Sequence, residues 1–364
     1  MSNIRIATVV GARPQFIKAA PLSLELAQNA DIQEISIHTG QHFDANMSDV
    51  FFTELALPAP AYNLGIGGGS HAKMTGDMLA AIERILLDEA PSAVLVYGDT
   101  NSTLAGGLAA AKLNIPVIHV EAGLRSFNRQ MPEEINRVLV DHLSTLLFCP
   151  TSTSVQNLKN EGITQGVHQV GDLMFDATLA LTPIATERSS LLDDLGLVPG
   201  TYCAATLHRA DNTASAEAIE QAISFMVECA KGSEVVLPVH PRTRLAAEKF
   251  GVSIQRPGVR AIEPLGYLDM IALAKNASTI FTDSGGLQKE AYFHGVPCVT
   301  LRDETEWTET VSAGWNRLWS SDSYEPRTDI VEYGDGKSAQ TMVAIIRDWI
   351  HANPSTDGQC DLSP

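Results

Sequence analysis

The sequence predicts an α/β protein made of two Rossmann-like, doubly wound domains with a cleft between them. Short apolar runs alternate with longer segments of helical periodicity, which is typical of βαβ units with helices on both faces of a parallel sheet. The chain has 364 residues, enough for two ordinary domains, and 45% of them are hydrophobic. Each domain can therefore bury a core of its own.

The apolar runs form two series, one for each predicted domain. The first series is IRIATVV, EISIHT, AVLVYG, IPVIHV and TLLFCP, and the second is YCAATLH, EVVLPVH, TIFTDS and PCVTLR. The pattern weakens between residues 172 and 200, so we place an N-terminal domain at 1–172 and a C-terminal domain at 173–336. Residues 337–352 have the pattern of a last helix, which we expect to pack back onto the N-terminal domain.

Composition excludes several classes of partner. A net charge of −18 argues against nucleic acid, which requires a basic surface. The five cysteines are scattered without a metal-like spacing, as expected for reduced thiols in a cytoplasmic protein without a metal site. We find no signal peptide and no run of the ~20 apolar residues that a membrane span needs. We expect a cytoplasmic protein that contacts neither membranes nor nucleic acid.

Most predicted strands end in polar or ionisable residues. In doubly wound sheets ligands bind beyond the carboxyl ends of the strands, so these ends are the candidate site. They read GARPQFIK, HTGQHFD, YGDTNST, HVEAGLR, TLHRADN, PVHPRT and TDSGGLQKE. Seven such ends in succession predict a large ligand-binding cleft.

Two of these ends are suited to an anionic ligand. Ser284, Gly285 and Gly286 open a helix, where free backbone amides and the helix dipole favour an anion. Arg13 and Lys18 lie at the start of the first helix, and no GxGxxG fingerprint accompanies them. This combination fits a diphosphate better than a nicotinamide cofactor, and we expect no cofactor. An N-cap turn and surface salt bridges are the structural alternatives.

The remaining polar ends have two interpretations each. Asp99 is either an N-cap or, if Thr100 or Ser102 caps the helix, a side chain that faces the cleft. Glu290 either accepts hydrogen bonds from ribose hydroxyls or belongs to a solvated helix face. His208 and His240 each end a strand of one sheet, and we expect at least one of them to be functional.

The stretch HVEAGLRSFNRQMPEE, residues 119–134, concentrates three carboxylates after a buried strand. With the other strand ends it resembles the non-hydrolysing UDP-N-acetylglucosamine 2-epimerase family. The motifs that carry the resemblance run from residue 11 to about 317. They are GARPQFIKAAPL, TGQHFD, YGDTNSTLAG, HVEAGLRS with MPEEINR, TLHRADN, PVHPR, and TDSGGLQKEA with GVPCVTLRDETE.

The resemblance implies a glycosyltransferase-B architecture, a homodimer, and interconversion of UDP-GlcNAc and UDP-ManNAc for surface polysaccharides. It implies a catalytic set of Asp99, Glu121, Glu133 and His208, with Glu133 chosen because it directly follows Pro132. It implies that UDP contacts Arg13, Lys18, His240, Arg242, Ser284, Gly285, Gly286 and, at the ribose, Glu290. Arg209, Leu265 and Met270 complete the predicted substrate-binding residues.

Inversion at C2 requires the loss of a proton that is not acidic in the ground state. Oxidation of a neighbouring hydroxyl would need bound NAD, for which the fingerprint is missing. Breaking the anomeric C1–O bond instead acidifies the C2 hydrogen, so UDP leaves, a 2-acetamidoglucal forms, and UDP adds back. We expect carboxylates to transfer the protons and the cationic loops to stabilise departing UDP.

Other activities remain open at this point. The short loop SFNRQM and Trp307 resemble the branch of the family that acts on UDP-2,3-diacetamido-2,3-dideoxy-glucuronic acid, although Trp307 also fits a core position. A glycosyltransferase of the same architecture, a hydrolysing epimerase and a nucleotide-sugar sensor are further alternatives. The carboxylate cluster favours the epimerase over the glycosyltransferase.

Overall fold

The computed structural model describes residues 4–41 and 58–353. These residues divide into two compact α/β units, each built on a parallel sheet of its own. The first unit contains the described residues up to Ala177 and from Val331 onwards, and the second contains Thr178–Ile330. The domain limits 1–172 and 173–336 remain a sequence prediction.

The sheet of the first unit has the strand order β3-β2-β1-β4-β5-β6-β7, with all neighbours parallel. The central strands are buried on both faces, which explains their continuous apolar runs. The strands are β1 Ile4–Val10, β2 Ile32–His38, β3 Tyr62–Asn63, β4 Ala93–Tyr97, β5 Val117–Val120, β6 Leu146–Cys149 and β7 Val167–Gln169.

Helices cover this sheet and bury their apolar faces on it. Met78 and Ile82 of the second helix, for example, are fully buried in one core with Val96 of β4. The helices are α1 Arg13–Ala27, α2 His71–Glu89, α3 Asn101–Lys112, α4 Pro132–Leu143, α5 Ser152–Asn160 and α6 Leu173–Arg188, which begins in this unit.

The C-terminal helix, Ser338–Ala352, also belongs to the first unit and is α14 in chain order. Its start is held by Asp176, whose Oδ2 accepts a hydrogen bond from Ala339 N at 2.8 Å. The helix packs against α1, and Arg347 Nη1 lies 3.4 Å from Asn29 Oδ1, just beyond the end of α1.

The sheet of the second unit has the order β10-β9-β8-β11-β12-β13, again with parallel neighbours. Its strands are β8 Tyr202–Thr206, β9 Glu234–Pro238, β10 Val259–Ile262, β11 Thr279–Thr282, β12 Cys298–Thr300 and β13 Asn316–Leu318. Its further helices are α7 Leu191–Leu195, α8 Ala210–Thr213, α9 Ala216–Cys229, α10 Pro241–Phe250, α11 Tyr267–Lys275, α12 Gly285–Phe293 and α13 Thr308–Ser312.

Two hydrophobic cores lie on opposite faces of this second sheet. Cys203 and Ala205 of β8 belong to one core, and Tyr202 and Ala204 belong to the other. Successive residues of a strand point to opposite faces, so the sheet is covered by helices on both sides. The predicted α/β fold with two doubly wound sheets is confirmed.

All nine predicted apolar runs are strands of the structure. Four further strands, β3, β7, β10 and β13, were not predicted, and they are the four edge strands of the two sheets. An edge strand pairs with one neighbour and is less buried, so it does not need a continuous apolar run. No helix within the described ranges has the length and apolarity needed to cross a membrane.

The strand order determines where a ligand site can form. In each sheet the order reverses once, between β1 and β4 in the first unit and between β8 and β11 in the second. Ligands of doubly wound folds bind beyond the strand ends at such a reversal. The residues that follow these four strands are therefore the candidate site residues of each unit.

Candidate active site

Gln15 connects the ends of strands β1 and β4 in the first unit. Its buried side chain accepts a hydrogen bond from Gly11 N at 2.8 Å, in the loop after β1. Its amide nitrogen donates to Tyr97 O at 2.8 Å and to Thr103 Oγ1 at 3.0 Å, at the end of β4 and the start of α3. These contacts fix α1 against the β4 loop and so place Lys18 near that loop.

Lys18 and Glu121 form a largely buried ion pair. Glu121 follows β5 with a φ of +70°, and this left-handed conformation costs a non-glycine residue roughly 1–2 kcal/mol. Its backbone N–H donates to Phe148 O on β6 at 3.0 Å, which helps to hold that conformation. The structure thus brings Lys18, predicted to contact a diphosphate, to a predicted catalytic carboxylate. Arg13 is the first residue of α1, and its side chain lies outside the described part of the structure.

The ion pair lies beside the loop that carries Asp99. A Cβ atom at Gly98, the residue before Asp99, would lie 3.4 Å from Glu121 Oε2 and 3.6 Å from Lys18 Nζ. Gly98 has a φ of +60°, which glycine adopts without strain. The residues that follow β4 and β5 therefore lie close together, beside Lys18 of the helix that follows β1.

Thr100, and not Asp99, caps α3. Its Oγ1 accepts a hydrogen bond from Thr103 N at 3.3 Å. The N-cap interpretation of Asp99 is therefore wrong. The Asp99 carboxylate is instead paired with Arg137 of α4, and its backbone oxygen accepts a hydrogen bond from Asn136 Nδ2 at 2.9 Å.

Asp99 lies in the field of four other charged side chains. Burial raises the pKa of its carboxyl group, Arg137 and Lys18 oppose that change, and Glu121 and Glu133 reinforce it. The net effect is a raised pKa. The structure thus brings Glu121 and Glu133, the other two predicted catalytic carboxylates of the first unit, within electrostatic reach of Asp99.

The two neighbouring glutamates of α4 have different environments. Glu134 is buried and accepts hydrogen bonds from the backbone N–H groups of Ser126 and Phe127, both at 2.9 Å. Its Oε2 also lies 3.3 Å from Arg137 Nη1. Glu134 therefore shapes the loop before the helix, whereas Glu133 is half-buried. This division favours Glu133 as the acid/base candidate.

The buried face of α4 carries charges, and sequence reasoning missed it. Glu134, Arg137 and Asp141 are 3%, 3% and 1% exposed, whereas Ile135 and Leu139 are each 47% exposed. Spacings of three and four residues place the three charged side chains on one helix face. That spacing was the available signal in PEEINRVLVDHL, and it would have identified Arg137 and Asp141.

In the second unit, His208 and Asp283 meet across the strand reversal. His208 Nδ1 lies 3.1 Å from Asp283 Oδ1, after β8 and β11 respectively. Asp283 Oδ2 also accepts hydrogen bonds from the backbone N–H groups of His208 and Arg209, both at 2.8 Å, and from Asn212 Nδ2 at 3.2 Å. Burial would raise the pKa of Asp283, but His208 and these bonds lower it to about 2.

Asp283 is therefore an ionised carboxylate that fixes the His208 ring. It was not among the predicted site residues, although it follows β11 directly before Ser284. A buried carboxylate with a histidine partner is a common way to orient an imidazole. His208 was predicted to be catalytic, and the structure supplies the group that orients it.

The other predicted cations of this unit surround His208. Its ring centroid lies 5.2 Å from that of His240, whose Nδ1 accepts a hydrogen bond from Arg242 N at 3.1 Å and caps α10. Arg242 Nη1 lies 3.4 Å from His208 O. Arg209 Nη2 lies 4.0 Å from Glu306 Oε1. These residues form one basic patch at the ends of β8 and β9.

Helix α12 begins as predicted, with Ser284 at the N-cap and Gly285 as the first helical residue. A Cβ atom at Gly285 would lie 2.5 Å from Glu306 Oε1, so a larger residue there would force the Glu306 side chain to move. Arg302 Nη1 lies 2.9 Å from Glu306 Oε2 and balances that carboxylate. Gly286 lies in the first turn of the helix. The backbone N–H groups of a first turn have no carbonyl partner within the helix itself.

Glu290 lies further along α12 and is only 6% exposed, so its interpretation as part of a solvated face is wrong. Its Oε1 accepts a hydrogen bond from Tyr267 Oη at 3.1 Å. Met270 belongs to one of the cores of this unit, and Leu265 packs against that core. Contact of a ligand with any of these residues stays a prediction.

Trp307 packs inside the second unit, which is the core position that the sequence left open. It is 3% exposed, and Lys289 Nζ lies 3.8 Å from the centroid of its ring. Lys289 is fully buried beneath it, at cation–π distance. The indole Nε1 also lies 3.4 Å from the position of a Cβ atom at Gly285, so Trp307 supports the start of α12.

In the part of the chain that the structure describes, no group of three or more His, Cys, Asp or Glu side chains is arranged to hold a metal ion. Four cysteines of this part are free thiols, namely Cys149, Cys203, Cys229 and Cys298.

Comparison with known proteins gives consistent matches along the chain. A sequence model of the family described as UDP-N-acetylglucosamine 2-epimerase matches residues 24–347. The UDP-N-acetylglucosamine 2-epimerase homolog of Methanococcus maripaludis is 51% identical over 94% of this chain and 99% of its own length. The UDP-2,3-diacetamido-2,3-dideoxy-D-glucuronate 2-epimerase of Pseudomonas aeruginosa is 50% identical over 86% of this chain and 88% of its own length.

Solved structures give the same result. The crystal structure of Methanocaldococcus jannaschii UDP-GlcNAc 2-epimerase in complex with UDP-GlcNAc and UDP matches with a TM-score of 0.89 at 41% identity, over 95% of this chain and 100% of that chain. The family model and these relatives cover most of the sequence. The chain therefore belongs to the UDP-N-acetylglucosamine 2-epimerase family.

Proposed function

We propose that the chain interconverts UDP-N-acetylglucosamine and UDP-N-acetylmannosamine by inverting C2 of the sugar. The observation that carries this proposal is the cluster of Asp99, Glu121 and Glu133 with Lys18 and Arg137 at the strand reversal of the first unit. A family relative has been solved in complex with UDP-GlcNAc and UDP, which supports the choice of ligand.

The reaction proceeds by anti elimination and re-addition. The C1–O bond breaks, UDP leaves with the bonding electrons, and a base removes the C2 proton, so that a C1–C2 double bond forms in a 2-acetamidoglucal. Re-addition of UDP with protonation on the opposite face of C2 gives the epimer. Proton transfer on the two faces of C2 requires two acid/base groups or one mobile group. The carboxylate cluster provides candidates for either arrangement.

Asp99 is suited to proton exchange because its pKa is raised. A carboxyl group with a raised pKa holds a proton closer to neutral pH than a free aspartate does, so it serves better as an acid and as a base there. Glu121 and Glu133 share the remaining acid/base and positioning roles on the sugar. Arg137 and Lys18 keep the cluster together by their charges.

UDP is bound mainly by the second unit in this proposal, with Arg13 and Lys18 of the first unit as further contacts. Departing UDP gains negative charge, which His208, Arg209, His240 and Arg242 and the N-terminus of α12 are suited to stabilise. Glu290, held by Tyr267, accepts hydrogen bonds from the ribose hydroxyls. The ring of His208 is oriented by Asp283 towards the leaving phosphate.

One experiment tests this function and its alternatives. The full chain is incubated with UDP-GlcNAc in deuterated buffer without an acceptor and without NAD, and the sugar is followed by NMR. We expect UDP-ManNAc with deuterium at C2 in both epimers. A glycosyltransferase would leave the sugar unchanged, and a hydrolysing epimerase would release free ManNAc and UDP; either result contradicts the proposal.

The 2-epimerase of UDP-2,3-diacetamido-2,3-dideoxy-glucuronic acid is the second candidate. It is favoured by the 50% identity to the Pseudomonas aeruginosa enzyme of that name. The same NMR assay with both nucleotide sugars decides between them through the ratio of their kcat/KM values. A higher kcat/KM for the uronate would assign the chain to that activity.

Amide variants test the three carboxylates. We expect Asp99→Asn, Glu121→Gln and Glu133→Gln each to lower kcat by about 10²–10⁴-fold, because each removes an acid/base or positioning group. Deuterium entry at C2 is measured in each variant. Glu83→Gln, at an exposed position on α2, is the matched control and should keep full activity. Full exchange in all three variants would refute the assignment.

Asp283→Asn tests the orientation of His208. The amide keeps the shape of the carboxylate but removes the charge that pairs with the ring. We expect kcat to fall by about 10²-fold or more, as for the loss of a correctly oriented acid/base group. Asp322→Asn, at an exposed position of the same unit, should not change kcat. A normal kcat in a folded Asp283→Asn protein would show that the pair does not serve catalysis.

We also propose that the protein is a homodimer, on the basis of the family resemblance. Ile135 and Leu139, four residues apart on α4, are each 47% exposed, and such exposed apolar side chains fit an interface. Phe127, in the loop before α4, is 77% exposed. Light scattering should give twice the chain mass, and Ile135→Glu with Leu139→Glu should give the monomer. Leu245→Glu, at an exposed apolar position of the second unit, is the control. A monomeric wild-type protein would contradict the proposal.

The free thiols support a cytoplasmic location. The family resemblance supports a role in supplying surface polysaccharide. Deletion of the gene, followed by sugar analysis of the surface polymer, measures that role.

A further inference from the structure

His119 lies on β5 between two acceptors and is not exposed at all. Its Nε2 is 2.7 Å from the backbone oxygen of Gly98, at the end of β4. Its Nδ1 is 2.7 Å from Asp141 Oδ1 on the buried face of α4. Both ring nitrogens of His119 are therefore used in short hydrogen bonds to oxygen atoms.

The chemistry of the two partners determines the protonation of the ring. A backbone carbonyl only accepts hydrogen bonds, so Nε2 carries a proton. Asp141 Oδ2 accepts hydrogen bonds from Gly123 N at 3.1 Å and from Arg125 Nη1 at 2.6 Å. An acceptor of these bonds beside a guanidinium group is an ionised carboxylate, and the pKa of Asp141 is lowered in spite of its burial. An ionised carboxylate also only accepts, so Nδ1 carries a proton as well. His119 is therefore a doubly protonated, buried imidazolium that is paired with Asp141.

This ion pair connects the two loops that carry candidate acid/base groups. Gly98, which accepts from His119, directly precedes Asp99. His119 itself lies two residues before Glu121. Gly123 lies two residues after Glu121 and donates its N–H to Asp141 Oδ2 at 3.1 Å. The Glu121 backbone, held in the left-handed conformation, is thus anchored on both sides by one pair of buried charges.

Arg125 completes the charge balance. Its Nη1 lies 2.6 Å from Asp141 Oδ2, and its Nε and Nη2 form two bonds of 2.7 Å with the Glu161 carboxylate at the end of α5. The Asp141 carboxylate thus has three N–H partners, on His119, Gly123 and Arg125. A buried carboxylate with such partners is fixed in place, because breaking one bond leaves a buried charge unpaired.

We propose that His119, as an imidazolium paired with Asp141, is a positioning residue that fixes the loops carrying Asp99 and Glu121 for proton transfer at C2. The inference rests on the proposed epimerase function. His119 does not touch the substrate in this proposal and acts only through the two loops.

Kinetics of two variants test the proposal. We expect His119→Gln and Asp141→Asn to lower kcat for epimerisation by about 10²-fold, as expected when reacting groups are misplaced by about 1 Å. The affinity for UDP alone, measured by calorimetry, should stay within about twofold, because the second unit supplies most of the proposed UDP contacts. His168→Gln, the same replacement on edge strand β7, should change neither quantity. An unchanged kcat in a folded variant overturns the proposal, and so does an equal loss of UDP affinity.

A measurement on the wild-type chain does not depend on the folding of any variant. The chain is labelled with ¹⁵N-histidine, and the His119 ring signals are assigned by their loss in His119→Gln or, if that variant does not fold, by their through-space contacts to neighbouring groups. We expect protons on both ring nitrogens at neutral pH. A ring nitrogen without a proton overturns the proposal. If the wild-type chain does not epimerise a UDP-sugar, the function fails, while this spectrum still decides the state of His119.

Discussion

The buried charged face of α4 is the constraint on which the candidate site of the first unit depends. Two of its three charges hold β5 and the loop that follows it, and the third holds the loop after β4. Glu134 binds the backbone of residues 126 and 127, Arg137 pairs with Asp99, and Asp141 binds His119 and Gly123. Removing one partner of a buried pair costs several kcal/mol, so the loops have little freedom to leave these positions. The buried charges of α4 therefore fix the positions of the loops that they contact.

The second unit uses the same principle with one carboxylate. Asp283 binds two backbone N–H groups, one side-chain amide and the His208 ring at the point where the strand order reverses. The chemistry of the two units nevertheless differs. The first unit presents carboxylates with two balancing cations, whereas the second presents histidines, arginines and a glycine-rich helix start. This division matches the two needs of the proposed reaction, proton transfer on a sugar and stabilisation of a leaving diphosphate.

The sequence was sufficient for the fold and for the strand ends, because buried parallel strands require continuous apolar runs and ligand-binding loops follow them. It was insufficient where the signal is a partner and not a pattern. The edge strands lack an apolar run, and the N-cap role of Thr100 depends on a contact with Thr103. Asp283 and Arg137 looked like ordinary polar residues until their buried partners were known. Helix α4 exposes Ile135 and Leu139, the reverse of the usual expectation, because much of its inner face meets charged loops, although Val140 still packs into the core.

The charge balance around Asp99 suggests how one proton can be held and released. Lys18 and Arg137 contribute positive charges that lower the pKa of Asp99, and Glu121 and Glu133 contribute negative charges that raise it. Arg137 also lies 3.3 Å from the buried Glu134 carboxylate, so an ionised Asp99 adds its negative charge to a site that already holds other carboxylates. Burial penalises that charge and raises the pKa of Asp99, while its pairing with Arg137 keeps the ionised form accessible. Asp99 is therefore the carboxyl group of this cluster best suited to hold the exchangeable proton near neutral pH. A site that must remove a proton from one face of C2 and return one to the other needs a group that is accessible in both its protonated and its ionised form.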